Sequence, residues 1–374
     1  MAGAPLPKVV IVVGAGIVGA SVAWHLAMSG ATVTIIDAAE PGGVATSASF
    51  AWINATSGNP PAYVRLRMRS MAEWTRLAAE CPGIPLSWCG GPLWDLAPDE
   101  LEAFATERNE QGYPIRIVGR DGAARIEPAL VAWPERAVHA PGEGVAEPVA
   151  AAQAIVADAT ARGAVLLART IVRAIDRSGR RVAVDTDRGR LEADAVVIAA
   201  GVASPAIAAT ANIELALDAP PGLLVHSKPH PKLLHGVVLA EDLHMRQTAE
   251  GRLVAGADFG GGDPGEHAEA TARALFAAMK AMLRGAEGLA YERYSVGRRP
   301  TPKDGYPVVG EAAPGIYLAV THSGVTLAPA IGRFLAEEIM EGRREPLLEP
   351  YRPDRFAYVS RSSDRTRLRP SSRH

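Results

Sequence analysis

Three glycines and one acid near the N-terminus are spaced as they are in sites that bind a dinucleotide. Gly14, Gly16 and Gly19 follow an apolar run, and Asp37 lies 23 positions after Gly14. In such a turn the first glycine permits the tight bend, the second lets the backbone approach a pyrophosphate, and the third lets a helix pack on the strand. An acid about 20 residues further on binds a ribose hydroxyl. The spacing therefore predicts a dinucleotide-binding turn.

The elements that must position these residues are two strands and a helix. The β-branched run at 9–13 predicts a strand buried on both faces, and a second apolar run at 32–36 ends at Asp37. A helix over roughly 17–29 directs its N-terminal amides and its positive dipole end at the phosphates.

A membrane-spanning helix is the alternative interpretation of this segment, because residues 9–28 contain no Asp, Glu, Lys or Arg. Three glycines interrupt the run at turn positions, and neither a basic start nor a cleavage site is clear. We therefore expect a dinucleotide turn and no membrane span.

The composition is that of an ordinary globular protein. A chain of 374 residues exceeds the usual size of one core, so two domains are expected. The net charge of −2 gives no general attraction to nucleic acid or anionic membrane. The two cysteines, Cys81 and Cys89, indicate a reducing, cytoplasmic setting, and they bridge only if geometry allows. No metal site is expected.

The C-terminal segment differs from the rest of the chain. Residues 352–374 contain seven arginines, two aspartates and almost no aliphatic side chains. Such a composition predicts a disordered, solvated tail. An arm that binds nucleic acid or membrane is the alternative.

Two later segments carry further small residues at strand ends. Residues 195–201 form an apolar run that ends in Ala-Ala-Gly, where a backbone can pass close to a ligand. Residues 315–341 show a strand, a glycine turn at Gly324 and then a helix, whose N-terminus can stabilise negative charge. Between them, Gly297-Arg-Arg-Pro300 places two arginines at the end of a further strand.

These segments together resemble the D-amino-acid oxidase family of flavoproteins, which includes glycine oxidases, sarcosine oxidases and D-amino-acid dehydrogenases. The resemblance spans nearly the whole chain. It rests on Val13-Gly-Ala-Gly-Ile-Val-Gly19, Gly43-Val-Ala-Thr-Ser-Ala-Ser49, Ala199-Ala-Gly-Val-Ala-Ser204, Gly297-Arg-Arg-Pro300 with Asp304-Gly-Tyr-Pro307, and Ser323-Gly-Val-Thr-Leu-Ala-Pro329.

The resemblance implies FAD as the cofactor and an α/β fold. A Rossmann-like FAD-binding domain is then interleaved with an antiparallel-sheet α+β substrate domain. The FAD-binding domain is expected at 1–82, 143–215 and 293–345, the substrate domain at 83–142 and 216–292, and the tail at 346–374.

The family pattern also assigns residues to the cofactor. Asp37 matches the acid of the adenosine ribose, and Val172 the residue at the adenine edge. Trp52 falls where the family's loop passes the flavin ring. The full set of expected FAD contacts is Gly14, Ala15, Gly16, Ile17, Val18, Gly19, Asp37, Ala38, Thr46, Ser47, Ala51, Trp52, Val172, Ala200, Gly201, Arg299, Gly324, Val325, Thr326 and Leu327. A flavin-attaching cysteine is absent from 323–325, so the FAD is expected to be non-covalent.

Arg299 matches the family position that holds the substrate carboxylate, a role that suits a guanidinium fork. A structural ion pair at a domain seam is its alternative role. His244 stands where many members carry a tyrosine, Arg246 projects to the same face, and His322 is a second candidate near the substrate. A histidine there can exchange protons near neutral pH. The alternatives are a strand-surface role for His244 and a core role for Trp52.

The function implied by the resemblance is oxidation of the C–N bond of an amino acid or secondary amine by hydride transfer to flavin. The substrate is then a small-molecule amine, and the chain could act as a homo-oligomer or pass electrons to a partner. A nicotinamide-dependent dehydrogenase and a flavin-binding subunit of a multi-subunit dehydrogenase are the alternatives.

Overall fold

The computed structural model describes residues 8–55, 59–97, 100–177, 179, 181–257 and 264–356. Numbered in chain order, the strands are β1 Val9–Val13, β2 Thr32–Ile36, β3 Trp52–Ile53, β4 Leu86–Trp88, β5 Pro92–Leu93, β6 Arg116–Gly119, β7 Arg136–His139, β8 Gly144–Ala146, β9 Val165–Leu167, β10 Val172–Asp176, β11 Val182–Thr186, β12 Gly189–Ala193, β13 Ala195–Ile198, β14 Leu217–Asp218, β15 Pro221–Ser227, β16 Val238–Leu239, β17 His244–Gln247, β18 Leu253–Gly256, β19 Tyr291–Arg298, β20 Thr301–Pro302, β21 Val308–Ala313 and β22 Ile316–Val320. The helices are α1 Ile17–Met28, α2 Val44–Ser47, α3 Pro61–Glu80, α4 Glu100–Glu110, α5 Arg120–Ile126, α6 Pro148–Ala161, α7 Ser204–Thr210, α8 Ala268–Ala281 and α9 Gly324–Glu341. Short 3₁₀ turns cover Gly201–Ala203, Gly265–His267 and Pro346–Tyr351.

A six-stranded sheet forms the frame of the dinucleotide turn. Its strand order is β21-β22-β13-β1-β2-β9, and only the β21–β22 pair is antiparallel. Val10 and Val12 of β1 pack into the core beneath α1 and α9, while Ile11 and Val13 pack into the core shared with β11. Both faces of β1 are therefore covered, as the β-branched run predicts.

The uncharged run at 9–28 consists of β1, the glycine turn and the 12-residue helix α1. In the part of the chain described here, no helix combines the length and apolar character needed to cross a membrane. The membrane interpretation of this segment is therefore wrong.

An eight-stranded sheet forms the second layer. Its order is β19-β15-β18-β17-β16-β5-β7-β6, with β16–β5 as its parallel pair and the rest antiparallel. Helix α8 packs on β15, β18 and β19. A separate sheet of three short strands has the order β3-β8-β4.

Strands of the two large sheets alternate along the chain, which confirms the interleaved α/β fold class. The expected boundary at 293 falls inside β19, whose pairing with β15 continues to Arg298. This strand belongs to the eight-stranded sheet, so a boundary after Arg298 keeps the whole strand in one domain. The division into two discontinuous domains otherwise stays a prediction.

The tail expected to be disordered from 346 is structured up to 356, so that part of the prediction is wrong. Leu348 and Tyr351 are buried, and Arg352 forms a buried ion pair of 2.5 Å with Glu338 of α9. The burial of Leu348 and Tyr351 and the pairing of the Arg352 charge explain why this basic segment packs against the rest of the fold. Residues 357–374 lie outside the described ranges.

The two cysteines are free thiols, Cys81 buried and Cys89 half-buried. Burial raises the pKa of each thiol to about 11. Neither lies in the cavity described below.

Candidate active site

A cavity of about 680 Å³ lies where the two large sheets meet. It runs from the carboxyl ends of β1 and β2, past the N-terminal ends of α1 and α9, to β15 and the end of β19. Ligand sites in parallel sheets of this kind lie at the carboxyl ends of the strands. The cavity is therefore the candidate active site.

The glycine turn has the predicted geometry. Gly14 has a φ of +111°, a conformation that favours glycine, and a Cβ there would overlap the carbonyl of Ala199. A Cβ at Gly19 would overlap the carbonyl of Gly14, so α1 approaches β1 closely. A Cβ at Gly16 would lie 3.3 Å from Oγ1 of Thr46, which accepts a hydrogen bond from the amide of Ile17.

Asp37 stands at the end of β2, on the edge of the cavity. Its Oδ2 accepts from the amide of Ala15 at 2.6 Å, and its Oδ1 accepts from the amide of Ala39 at 2.8 Å. These bonds fix the carboxylate beside the glycine turn. Val172, at the start of β10, lines the same end of the cavity.

The N-terminus of α9 also opens into the cavity. Gly324, Val325 and Thr326 line it, and the hydroxyl of the N-cap residue Ser323 makes no capping hydrogen bond. The first amides of this 18-residue helix therefore present the positive end of the dipole to a ligand.

Trp52 is both buried and part of the cavity wall, with 8% of its surface exposed. Its indole Nε1 donates to Oε2 of Glu143 at 2.8 Å, and the hydroxyl of Tyr113 donates to Oε1 of the same carboxylate at 2.5 Å. The hydroxyl of Thr326 donates to the Trp52 carbonyl at 3.2 Å. These bonds hold the indole ring in place.

Arg299 follows β19 and lines the cavity opposite a glycine. A Cβ on Gly222 of β15 would lie 3.4 Å from Nη2 of Arg299, so the missing side chain leaves room for the guanidinium. The backbone amide of Arg299 donates to the carbonyl of Pro220 at 3.1 Å.

His322 belongs to a hydrogen-bonded chain that starts on α3. Nη1 of Arg67 donates to Oγ of Ser323 at 2.8 Å, and Oγ lies 3.1 Å from Nε2 of His322. Because a guanidinium can only donate, the serine oxygen accepts from Arg67 and its own hydrogen is available to Nε2. In the tautomer that accepts this hydrogen at Nε2, the proton of the neutral His322 ring lies on Nδ1.

Burial lowers the pKa of His322 to about 4, and the positive charges of Arg67 and Arg299 lower it further in the same direction. The ring is therefore neutral at physiological pH. Its Nδ1 is buried and has no hydrogen-bond partner within the described part of the chain.

The cavity brings together most of the sequence-predicted site residues. Those that line it are Gly14, Gly16, Ile17, Val18, Asp37, Ala38, Thr46, Ala51, Trp52, Val172, Ala200, Gly201, Arg299, His322, Gly324, Val325 and Thr326. Those outside the lining are Ala15, Gly19, Ser47, Leu327, His244 and Arg246. Ser47 is exposed and donates to the carbonyl of Val44, while Ser49 lines the cavity instead.

His244 and Arg246 do share a face of β17, as predicted, but that face meets Phe50 rather than the cavity. The rings of His244 and Phe50 lie 4.5 Å apart, and Nε of Arg246 donates to the Phe50 carbonyl at 2.7 Å. Arg246 also forms a buried ion pair of 3.0 Å with Glu147. Neither residue lines the cavity, and a direct substrate contact for them stays a prediction.

The expected proton exchange by His244 near neutral pH is contradicted by the surroundings of its ring. Burial, and then the charge of Arg299, lower its pKa to about 3, so the ring stays neutral through the physiological range.

Sequence reasoning missed Arg67 and Asn54, which line the cavity. Arg67 lies on the buried face of α3 with Tyr63, Ser70 and Trp74. Arg67 lies three or four positions from its nearest neighbours on that face. This helical spacing could have indicated from the sequence that Arg67 is buried.

Comparison with known proteins decides the family. A profile described as FAD dependent oxidoreductase matches residues 9–338. The chain belongs to this family. The match confirms the expected family and FAD as the cofactor, so the nicotinamide alternative is wrong.

Relatives of this FAD dependent oxidoreductase are named for amino-acid oxidation. It is 29% identical over 360 residues to a glycine oxidase of Pseudomonas aeruginosa, covering 91% of this chain and 96% of that protein. A subunit of the opine oxidase of Rhizobium meliloti is 25% identical over 363 residues, covering 92% and 96%. The crystal structure of a glycine oxidase from Geobacillus kaustophilus superposes with a TM-score of 0.81 at 25% identity, covering 92% of this chain and 98% of that one. The protein is an FAD-dependent oxidoreductase that acts on amines or amino acids.

The cavity of this FAD dependent oxidoreductase fits the cofactor. The glycine turn and the N-terminal ends of α1 and α9 suit a pyrophosphate and an electron-rich ring, and Asp37 suits a ribose hydroxyl.

Proposed function

We propose that the protein oxidises the Cα–N bond of a carboxylate-bearing amine, with Arg299 as the carboxylate anchor. The supporting observation is that Arg299, Trp52 and the neutral His322 line the same cavity as the glycine turn. A guanidinium fork can donate two parallel hydrogen bonds to one carboxylate, which fixes the orientation of the substrate.

FAD, when bound, supplies the two-electron acceptor for the hydride that leaves the substrate Cα. As the hydride leaves, the amine lone pair forms the C=N bond of an iminium ion that keeps its N–H proton, and water hydrolyses this ion to a carbonyl product and a protonated amine or ammonium. The chain's own residues hold the carboxylate, wall off the reacting carbon with Trp52 and set the charge around the amine.

The positive charges of Arg67 and Arg299 favour the neutral form of a bound amine, since an ammonium beside them is disfavoured. His322 does not act as the base in this scheme, because burial and the charges of Arg67 and Arg299 lower its pKa to about 4. The amine therefore enters the reaction neutral without a dedicated basic side chain.

The experiment is an anaerobic screen of amino acids and secondary amines against the purified, FAD-loaded chain. Bleaching of the flavin band at about 450 nm reports electron transfer from the substrate. We expect carboxylate-bearing amines to bleach the band and the matching amines without a carboxylate to fail. Equal bleaching by both classes would contradict the role of Arg299.

We further infer that the FAD is non-covalent, because Ser323, Gly324 and Val325 offer no thiol and both cysteines lie outside the cavity. Acid precipitation should leave all the flavin in the supernatant.

A second candidate function is that of a flavin-bearing subunit whose partner completes the enzyme. The likeness to a subunit of an opine oxidase supports it. The turnover rate of the isolated chain is compared with that of any complex it forms with another protein. Equal rates would reject this candidate.

A further inference from the structure

Arg67 is a buried cation whose hydrogen-bond partners are all neutral. It is 5% exposed, and it donates to the Asn54 carbonyl at 2.8 Å, to Asn54 Oδ1 at 2.7 Å and to Ser323 Oγ at 2.8 Å. Within the described ranges, no carboxylate forms an ion pair with it. Burying a charge without a counter-ion is costly, so a residue of this kind indicates that a ligand supplies the anion.

The guanidinium also has donors to spare. Three of its five N–H groups are used, one each on Nε, Nη1 and Nη2, which leaves one hydrogen on each terminal nitrogen. Because Arg67 lines the cavity, these hydrogens are available to a ligand there.

A second candidate donor lies on His322, which is joined to Arg67 through the hydroxyl of Ser323. In the tautomer that accepts the Ser323 hydrogen at Nε2, Nδ1 of His322 carries a hydrogen, and that atom is buried without a partner in the described structure. A buried donor without an acceptor is rare and costly, so it too indicates a missing acceptor. The two donors are linked through one serine hydroxyl.

The charge of the cavity wall is unequal at its two ends. Its charged lining residues are Asp37 at the end of β2, and Arg67, Arg298 and Arg299. Both Arg67 and Arg299 lie close enough to His322 to lower its pKa. Among the described residues, the cavity lining around His322 therefore contains two arginines and no carboxylate.

We infer that Arg67 and Nδ1–H of His322 form a second anion-binding subsite beside Arg299, and that the preferred substrate is an amine with two carboxylates. Such substrates are acidic amino acids and secondary amines whose two arms each end in a carboxylate. The inference rests on the proposed function, in which Arg299 holds the first carboxylate.

Binding of unreactive acids tests the subsite without turnover. The FAD-loaded protein is titrated by calorimetry with malonate, succinate and glutarate, and with propionate as the single-carboxylate probe. We expect the best dicarboxylate to bind at least about tenfold more tightly than propionate. Equal affinities in the wild-type protein would overturn the inference without any variant.

Variants of α3 assign the effect to Arg67. Arg67→Met should lose the tenfold preference for the dicarboxylate and leave propionate binding within about threefold of wild type. Arg67→Lys keeps a charge without the fork and should retain part of the preference. Arg65→Met is the matched control, because Arg65 is exposed on the same helix and does not line the cavity.

Two further outcomes would contradict the subsite. Equal weakening of propionate and dicarboxylate in Arg67→Met would mean that Arg67 supports the Arg299 site. A loss of FAD affinity with the preference intact would mean that Arg67 serves the cofactor.

A kinetic arm separates this inference from the proposed function. Anaerobic flavin reduction by iminodiacetate is compared with reduction by sarcosine, which differs by one carboxylate. A rate advantage for iminodiacetate that disappears in Arg67→Met supports the inference. Similar rates for both amines would overturn it and leave the proposed function standing, whereas dicarboxylate binding with no reduction by any amine would overturn the proposed function alone.

Discussion

Nη1 of Arg67 donates a hydrogen bond of 2.8 Å to the hydroxyl of Ser323, and this contact joins the middle of α3 to the residue before α9. The same two helices are tied by Nε1 of Trp74, which donates to the Val325 carbonyl at 2.8 Å. The position of the α9 N-terminus, and of His322 beside it, therefore depends on how α3 packs.

The first prediction concerns the glycine turn. Gly16→Val should give a colourless protein, because its side chain would press on Thr46 and occupy the space that a pyrophosphate needs. The measurement is the ratio of flavin to protein absorbance after purification. Gly142→Val is the control, since nothing lies within 4 Å of a Cβ there, and it should remain yellow. Full FAD occupancy in Gly16→Val would reject the assigned role of this turn.

The second prediction concerns the carboxylate anchor. Arg299→Lys should keep its flavin but lose at least about tenfold in kcat/KM towards a carboxylate-bearing amine, because a lysine cannot form the bidentate contact. Arg293→Lys is the control, since Arg293 is exposed on the preceding strand β19 and does not line the cavity. Unchanged kinetics in Arg299→Lys would show that Arg299 is structural and that the substrate is recognised without its carboxylate.

The third prediction concerns stability at acid pH. Burial lowers the pKa of His25 and His244 to about 3 and of His226 and His322 to about 4, whereas an unfolded histidine titrates near 6.5. Below that value the unfolded chain binds more protons than the folded one. The free energy of unfolding should therefore fall as the pH falls from about 6.5 towards 4.

His244→Phe isolates one of these groups, because His244 packs on Phe50 and lies outside the cavity. Each such histidine contributes about 1.4 kcal/mol per pH unit within its window, so the variant should show a slope smaller by about that amount. Urea unfolding at pH 7, 6 and 5 measures the slope, with His235→Phe as an exposed control. An unchanged slope in His244→Phe would mean that His244 is protonated in the folded protein.

The cofactor end of the site could be predicted from sequence because each part of it is local. The turn at Gly14, the packing at Gly19 and the acid at Asp37 lie within one strand-helix-strand unit, where residue type and spacing determine the geometry. The helix start at Gly324 is likewise determined by local residue type and spacing, so it could be predicted in the same way.

The substrate end could not be predicted in the same way because it is assembled over long distances. Alternation along β17 correctly placed His244 and Arg246 on one face, but Phe50, almost 200 positions away, separates that face from the cavity. The helical spacing of α3 showed that Arg67 is buried, but only the packing of α3 on α9 shows what it meets.

The last prediction concerns the proton on His322. In the wild-type protein, ¹⁵N chemical shifts of the imidazole should report a neutral ring with its hydrogen on Nδ1, because the Ser323 hydroxyl donates to Nε2. Ser323→Ala removes that donor, so the ring should become a mixture of both tautomers, while its pKa should stay low because burial and the charges of Arg67 and Arg299 are unchanged. The start of helix α9 should be retained, because the Ser323 hydroxyl makes no capping bond, although the variant loses the contact from Arg67. Ser323→Thr restores a hydroxyl and should return the Nδ1–H tautomer. The charged and titratable groups around the ring, Arg67 and Tyr63 of α3 and Arg299 after β19, are unchanged in both variants. An identical tautomer ratio in the wild type and in Ser323→Ala would show that the hydroxyl does not set the protonation of His322.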